Sequence, residues 1–255
     1  MKPTVSDISA LKGQRKLTML TCYDYSFARL LNGLVDMILV GDSLGNVILG
    51  YDRTDRVTLA DMQRHIGAVR RGAPDTLIIG DLPAGSYNEP ETAIRSARRL
   101  LDAGADAVKP EGRPEIISAL TMEGIAVMGH IGYLPQTAPA FQIVGRTDEE
   151  ALRLQRDAAA IQNSRAFALV LECLPAVTAE TLTARLTIPT IGIGAGAGCD
   201  GQVLVLYDLL GLFSDFKPKF VRRYAALAEQ VRQAVSAYVF DVQHGFFPNE
   251  NEEYR

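Results

Sequence analysis

The segment from Met37 to Asn46 reads MILVGDSLGN: a short apolar run that ends on a glycine, a carboxylate and a hydroxyl. A run of four apolar residues closed by glycine is typical of a strand that is buried on both faces. Asp42 and Ser43 follow it directly, and an acid in this place is most often a helix cap or a turn residue. The segment therefore predicts a buried strand and leaves the role of its polar end open.

Seven more apolar runs occur along the chain, and amphipathic stretches of helical length separate them. The eight predicted strands are residues 17–21, 37–40, 77–81, 107–111, 126–130, 168–172, 190–194 and 203–206. The predicted helices include residues 59–71, 90–103, 115–123, 149–161 and 179–185. Eight such βα units in about 250 residues predict the α/β class and a closed (β/α)8 TIM barrel, with an open doubly wound sheet as the alternative.

No linker rich in Pro, Gly or Ser and no low-complexity tract divides the chain. We therefore expect a single (β/α)8 barrel domain over residues 1–255, with a C-terminal helical extension from Lys219 to about Val242 and a polar acidic tail.

The composition excludes several classes of protein. Hydrophobic residues make up 47% and charged residues 22% of the chain, which is ordinary for a globular protein. The net charge is -4 and the basic residues are scattered, so we expect small-molecule partners, no nucleic acid and no membrane. The three cysteines have no CxxC spacing and the N-terminus has no apolar signal region, which together favour a cytoplasmic protein.

Four acids stand at or just beyond the ends of predicted strands: Asp42, Asp81, Glu111 and Glu172. In this barrel the C-terminal strand ends form the active site, so the four carboxylates should converge there. Each alone could be a loop or cap residue, but crowded carboxylates raise one another's pKa and need shared protons or a cation. Oxygen ligands favour Mg²⁺ or a similar ion, and Lys109 shares a strand face with Glu111.

Three further features carry less information. The segment IGIGAGAGCDG, residues 191–201, contains one GxGxxG match, but an apolar run rather than a helix follows it, so a dinucleotide site is not expected. His130 could line the same barrel end or be a structural histidine. Ser43 lacks a GxSxG context, so it does not predict a hydrolase nucleophile.

Seven motifs in sequence order resemble the ketopantoate hydroxymethyltransferase family, which is similar to the phosphoenolpyruvate mutase/isocitrate lyase superfamily. They are TCYDYSFARL (21–30), LVGDSLGN (39–46), GDLPAGSY (80–87), AVKPEG (107–112), GHIGYLPQ (129–136), LVLECLP (169–175) and IPTIGIGAG (188–196). The resemblance implies transfer of a one-carbon unit from 5,10-methylenetetrahydrofolate to 3-methyl-2-oxobutanoate through a Mg-stabilised enolate. The product would be 2-dehydropantoate, on the route to pantothenate and coenzyme A.

The resemblance also implies roles for individual residues. Asp42, Asp81 and Glu111 match the Mg²⁺ ligands, and Asp42, Ser43, Asp81 and Lys109 match the residues that bind the oxo acid. Glu172 matches the proton acceptor. The family further implies a homo-oligomer, often a decamer of paired subunits.

The chain departs from the family pattern at Ala84, Tyr133, Leu134 and Tyr207, and segment 133–146 is about three residues shorter, with Gln142 in place of a lysine. Because the four acids and Lys109 are retained, a catalytically inactive binding or structural barrel is the least supported alternative. A Mg-dependent aldolase or lyase acting on a related 2-oxo acid remains the main alternative to the transferase.

Overall fold

The computed structural model describes residues 2–213 and 218–254, and within them eight parallel strands form one sheet. The strands are β1 Leu17–Thr21, β2 Met37–Val40, β3 Leu77–Asp81, β4 Ala107–Lys109, β5 Met128–Gly132, β6 Ala168–Glu172, β7 Thr190–Ile193 and β8 Gly201–Leu204. Their spatial order is β4-β3-β2-β1-β8-β7-β6-β5. A single parallel bridge between Val108 and Val127 joins the two ends, so the sheet forms a nearly closed barrel and the predicted fold is confirmed.

Ten α-helices lie in the described part of the chain. They are α1 Val5–Ala10, α2 Tyr25–Leu31, α3 Leu44–Val47, α4 Leu59–Gly72, α5 Pro90–Asp102, α6 Pro114–Met122, α7 Asp148–Asn163, α8 Ala176–Arg185, α9 Leu206–Leu209 and α10 Leu227–His244. Two of the longer ones, α4 and α7, begin with capping boxes, in which Thr58 pairs with Asp61 and Thr147 with Glu150. These reciprocal bonds satisfy backbone N–H groups that a helix start leaves without partners.

Strand boundaries differ from the predicted ones in four strands, of which β7 differs only by ending one residue early, at Ile193. β4 ends at Lys109, two residues early, because Pro110 has no N–H to continue the ladder. β5 begins and ends two residues later than predicted, and its last residue, Gly132, pairs with Glu172 of β6. β8 begins and ends two residues earlier than predicted, at Gly201 and Leu204, and Leu206, which was assigned to its end, is the first residue of α9.

The barrel interior is filled by alternate strand residues. Met19, Leu39, Ile79, Val170 and Val203 belong to one buried cluster that includes a residue from every strand. Ile8 of α1 packs into the same cluster. Since side chains alternate across a strand, Asp81 of β3, Lys109 of β4 and Glu172 of β6 continue this inward-facing series toward the C-terminal end of the barrel.

The chain divides into two compact units, residues 1–205 and 206–255. The first contains the whole barrel, and the second contains α9 and α10. The predicted C-terminal helix is present as α10 but begins at Leu227, eight residues later than expected, and Gly245 in the left-handed conformation ends it. The expectation of one domain over residues 1–255 stays a prediction. Across the ranges described, the helices are each too short or too polar to cross a membrane.

Candidate active site

The four predicted acids lie together at the C-terminal end of the barrel. Asp81 and Glu172 are the last residues of β3 and β6, and Asp42 and Glu111 lie in the loops after β2 and β4. Asp42, Asp81 and Glu111, which we call the acid cluster, are only 3% to 6% exposed. The Asp42 backbone N–H donates to Asp81 Oδ2 at 3.1 Å, so the ends of neighbouring strands hold two of these carboxylates side by side.

Lys109 supplies a buried positive charge to the acid cluster. Its Nζ lies 3.0 Å from Asp81 Oδ1, without the alignment of a hydrogen bond. Burial by itself lowers the pKa of Lys109, but the charges of Asp81, Asp42 and Glu111 outweigh it and the pKa is raised. Lys109 is therefore held as an ammonium.

The acid cluster carries more carboxylates than one lysine neutralises. Burial, followed by repulsion from Asp81, raises the pKa of Asp42 to about 7. Burial and then the charge of Asp42 raise the pKa of Glu111 to about 9. Without a further cation, protons therefore remain on part of the acid cluster at neutral pH.

Glu172 stands apart from the acid cluster beside a histidine. Its side chain is 18% exposed, and burial raises its pKa to about 7. His130 Nε2 lies 3.1 Å from Glu172 Oε2, although the N–H is not aligned with that oxygen and stays unpaired. Burial and the nearby Lys109 hold the pKa of His130 well below its usual value, so the imidazole is neutral.

The contact with Lys109 defines the proton position on His130. Lys109 Nζ lies 3.5 Å from His130 Nδ1, and an ammonium can only donate. We therefore assign the proton of the neutral ring to Nε2, the atom that faces Glu172. The side chain of His130 lies inside the acidic barrel end, where the first of the two sequence-based alternatives places it.

Gln136 and Tyr87 belong to the same site, and the sequence reasoning missed both. Gln136 Nε2 donates to Asp42 Oδ2 at 2.7 Å, and its backbone N–H donates to Glu111 Oε2 at 3.2 Å. The Tyr87 hydroxyl donates to Gln136 Oε1 at 2.6 Å. Each is the last residue of a motif quoted above, but both side chains are neutral, and a search for charged residues at strand ends passes over them.

Ser43 also reaches the barrel end. Its Oγ lies 2.8 Å from the Tyr23 hydroxyl, and it precedes the short helix α3. A Cβ added at Gly41 would lie 2.9 Å from Ser43 Oγ and 3.4 Å from Asp81 Oδ2. Glycine at position 41 is thus what allows Asp42, Ser43 and Asp81 to approach so closely.

A cavity of about 560 Å³ opens beside the acid cluster. We call it the α7 cleft; residues within 84–88, 111–114, 131–144 and 150–161 line it, so it extends from Glu111 and Gln136 to α7. Three of the unusual residues, Ala84, Leu134 and Gln142, line this cleft. Of the other two, Tyr133 packs edge-on against Phe141, and Tyr207 lies in α9 of the second unit.

The donor set of the acid cluster fits a hard divalent cation. Within residues 2–213 and 218–254, no three His, Cys, Asp or Glu side chains are already arranged around a common metal position. Mg²⁺, however, commonly takes only one or two protein carboxylates and completes its shell with water and substrate oxygens. Asp42 and Asp81 adjoin each other, and Asp81 Oδ1 is buried with Lys109 Nζ 3.0 Å away but with no aligned hydrogen bond, so a lone pair of this oxygen is available to an ion.

Comparison with known sequences points to one family. The model of the family "Ketopantoate hydroxymethyltransferase" matches residues 2–250. The 3-methyl-2-oxobutanoate hydroxymethyltransferase of Desulfotalea psychrophila is 50% identical over 97% of this chain and 92% of its own length. The protein of the same name from Cenarchaeum symbiosum is 50% identical over 96% of both chains.

Comparison with solved structures supports the fold. Phosphoenolpyruvate phosphomutase from Streptomyces platensis subsp. rosaceus superposes with a TM-score of 0.66 over 95% of this chain and 88% of its own, at 13% identity. A 2,3-dimethylmalate lyase of the PEP mutase/isocitrate lyase superfamily superposes with a TM-score of 0.61 over 100% and 93%, at 17% identity. At such identities the likeness concerns the barrel alone.

Proposed function

Because this chain belongs to the ketopantoate hydroxymethyltransferase family, we propose that it takes the one-carbon unit from 5,10-methylenetetrahydrofolate and reacts through an enolate of 3-methyl-2-oxobutanoate. Hydroxymethyl transfer to this oxo acid, a step of pantothenate biosynthesis, follows from the family and from the relatives of half-identical sequence. The donor and the route through the enolate are the proposal.

The observation that supports the enolate route best is the pair of Glu172 and His130. A proton acceptor works most efficiently when its pKa is close to the working pH, and the pKa of Glu172 is about 7. Glu172 takes the proton from C3 of the oxo acid. His130 Nε2 lies 3.1 Å from Glu172 Oε2, so its N–H would stabilise the carboxylate before the transfer once the two groups align.

We assign the Mg²⁺ ligands to the acid cluster of Asp42, Asp81 and Glu111. When bound, the ion would act as a Lewis acid that lowers the free-energy cost of negative charge on the oxo acid. Ser43 and Lys109 contact the oxygen atoms of the oxo acid. The ammonium of Lys109 also stabilises the negative charge of the enolate electrostatically.

The overall reaction is balanced by one water. The C3–H bond breaks and its proton goes to Glu172, and the C3 carbon forms a bond to the methylene carbon of the folate. Both bonds from that methylene carbon to folate nitrogens break, and water provides the hydroxyl group. The proton held by Glu172 and one proton of that water go to the two released nitrogens, so Glu172 is regenerated and tetrahydrofolate leaves.

Solvent deuterium exchange at C3 of 3-methyl-2-oxobutanoate tests this proposal. With Mg²⁺, we expect exchange without folate, and 2-dehydropantoate by mass spectrometry when 5,10-methylenetetrahydrofolate is added. Exchange without product would instead favour the alternative function, a Mg-dependent aldolase or lyase. The unusual residues of the α7 cleft are the reason for considering that alternative. Absence of both would contradict the enolate chemistry.

A further inference from the structure

Gln136, in the loop after β5, is bonded to the loops after β2, β3 and β4, and two of these bonds go to acids assigned as Mg²⁺ ligands. We propose that Gln136 leaves Asp42 and Glu111 one oxygen each for an ion and thereby makes the acid cluster select Mg²⁺ over the larger Ca²⁺. This inference rests on the proposed function, because it takes the ligands assigned there. Gln136 is a positioning residue, since it acts on the ion through the carboxylates.

The side-chain amide of Gln136 is fixed by three hydrogen bonds. Its Nε2 donates to Asp42 Oδ2 at 2.7 Å and to the backbone oxygen of Leu82 at 3.0 Å. Its Oε1 accepts from the Tyr87 hydroxyl at 2.6 Å. The NH2 group and the oxygen of the amide therefore each have partners, which define one orientation in which Asp42 Oδ2 stays engaged.

The backbone of Gln136 holds the second carboxylate. Its N–H donates to Glu111 Oε2 at 3.2 Å, and the Glu111 N–H donates to the Tyr87 hydroxyl at 3.4 Å. Because Tyr87 also donates to the Gln136 side chain, these three residues form a closed ring of hydrogen bonds. Each of the three is at most 6% exposed, so little water competes for these bonds.

Each acid of the cluster thus has one oxygen that accepts an N–H. Gln136 provides the donor for Asp42 and for Glu111. The backbone N–H of Asp42 provides the donor for Asp81. An ion that took both oxygens of one carboxylate would compete with these donors for the engaged oxygen. The cluster therefore favours an ion that takes a single oxygen from each acid.

Single-oxygen binding discriminates between Mg²⁺ and Ca²⁺. Mg²⁺ demands near-octahedral geometry, which the narrow angle between the two oxygens of one carboxylate distorts. Ca²⁺ takes about six to eight oxygens in a flexible geometry and often uses both oxygens of a carboxylate. Releasing the oxygens that Gln136 engages should therefore weaken the preference for Mg²⁺.

Metal titration of the metal-free protein tests this inference. Gln136→Leu removes the side-chain donor to Asp42, and binding of Mg²⁺ and of Ca²⁺ is measured by calorimetry after EDTA treatment and dialysis. We expect the Kd for Mg²⁺ to rise by about 10- to 100-fold, the usual effect of removing a hydrogen-bond partner of a metal ligand. The Kd for Ca²⁺ should rise less, so that the ratio of the two Kd values changes by about tenfold in favour of Ca²⁺.

Tyr87→Phe is a milder variant, because it removes the hydroxyl that orients the Gln136 amide. It should change the ratio in the same direction by a smaller factor. Thr183→Val is the matched control, because Thr183 Oγ1 forms a buried bond with Thr190 Oγ1 at 2.7 Å, at the start of β7 and the opposite end of the barrel. This control should lose stability in urea denaturation without changing either Kd.

The ratio of the two Kd values decides the outcome. An equal rise of both in folded Gln136→Leu would mean that Gln136 only supports the loops, and it would overturn the inference. Two unchanged Kd values would overturn it as well. If Gln136→Leu does not fold, an unchanged ratio in Tyr87→Phe has the same consequence.

C3 exchange of the oxo acid in the unmodified protein tests the proposed function separately. If exchange with Mg²⁺ fails while the ratio changes as expected, the enolate route is wrong and the role of Gln136 stands. If the unmodified protein does not bind Mg²⁺, both the ligand assignment and this inference are contradicted.

Discussion

Glu172 illustrates how one residue acquires reactivity from its surroundings. A carboxyl group in water has a pKa near 4, too low to remove a carbon-bound proton efficiently at neutral pH. At the end of β6, burial raises the pKa of Glu172 to about 7, while the Nε2–H of His130 lies 3.1 Å away. Its role as the proton acceptor stays a prediction, and the environment is what that role requires.

Replacing Glu172 with glutamine removes the base and keeps the size of the side chain. We expect Glu172→Gln to lower turnover and C3 exchange by about 10²- to 10⁴-fold, the usual contribution of a general base. The exposed Glu149→Gln serves as the control. Mg²⁺ binding, followed by calorimetry, should be unaffected, and unchanged C3 exchange in Glu172→Gln would show that another group removes the proton.

Gln136 and Tyr87 act on the acid cluster without carrying charge. The Gln136 amide donates to Asp42 and accepts from Tyr87, so it satisfies buried groups of two different loops. Removing one member of such a network lowers the stability of the folded protein, because its former partners stay buried without a hydrogen bond.

The Gln136→Leu variant should therefore be less stable. We expect a loss of about 1 to 3 kcal/mol in the free energy of unfolding, because Asp42 and Tyr87 lose their partner. Tyr87→Phe in the Gln136→Leu background should cost less than Tyr87→Phe alone, which a double-mutant cycle from urea denaturation measures. Additive effects would mean that the two side chains do not act together.

At the scale of elements, β5 and β6 are held together tightly at the point where Glu172 emerges. Gly132 has a φ of +102°, and a Cβ there would lie 2.1 Å from the backbone oxygen of Glu172. The end of β5 therefore reaches β6 only because residue 132 has no side chain. By contrast, β4 and β5 share one bridge, between Val108 and Val127, and the α7 cleft opens above that junction.

Gly132→Ala should separate these strand ends and displace Glu172. Gly124→Ala is a matched control, because Gly124 also has a positive φ of +74° but has open space around its Cβ position. Both variants should lose about 1 kcal/mol or more of stability from backbone strain, measured by thermal denaturation. Gly132→Ala alone should also lose turnover, and equal turnover in the two would exclude a special role for this contact.

At the scale of the whole molecule, the acid cluster and Glu172 make stability depend on pH and on cations. Burial raises the pKa values of Asp42 and Glu172 to about 7 and that of Glu111 to about 9. In the metal-free protein the folded state therefore holds protons that the unfolded state releases near pH 4. Under the linkage relation, stability falls as pH rises between those limits.

A bound divalent ion should reverse this trend. In EDTA we expect the melting temperature to decrease from about pH 5 to pH 9, because the buried carboxyl groups must ionise close together. Added Mg²⁺ should raise the melting temperature, and more at pH 8 than at pH 5, because it replaces the protons and stabilises by mass action. The same pH dependence with and without Mg²⁺ would show that the ion does not bind among these acids.

Much of this arrangement could be predicted before the structure. The eight apolar runs indicate a barrel, and β1, β2, β3 and β6 have the predicted bounds because their patterns are continuous and clearly ended. Asp42, Asp81 and Glu111 could be assigned to one barrel end because parallel strands place their C-termini together. The two-residue shift of β5 could not be predicted, since its register is determined by pairing with β6 rather than by composition.

The sequence by itself determined the class of fold, the carboxylates at the strand ends and, through its motifs, the family. Only the tertiary structure decided that His130 faces Glu172, that Gln136 and Tyr87 bond to the acid cluster, and that Ala84 and Gln142 line one cleft. Strand periodicity and charge are local properties that a linear pattern records. Contacts between loops depend on how the strands pair and where each loop crosses the barrel end, which no local pattern contains.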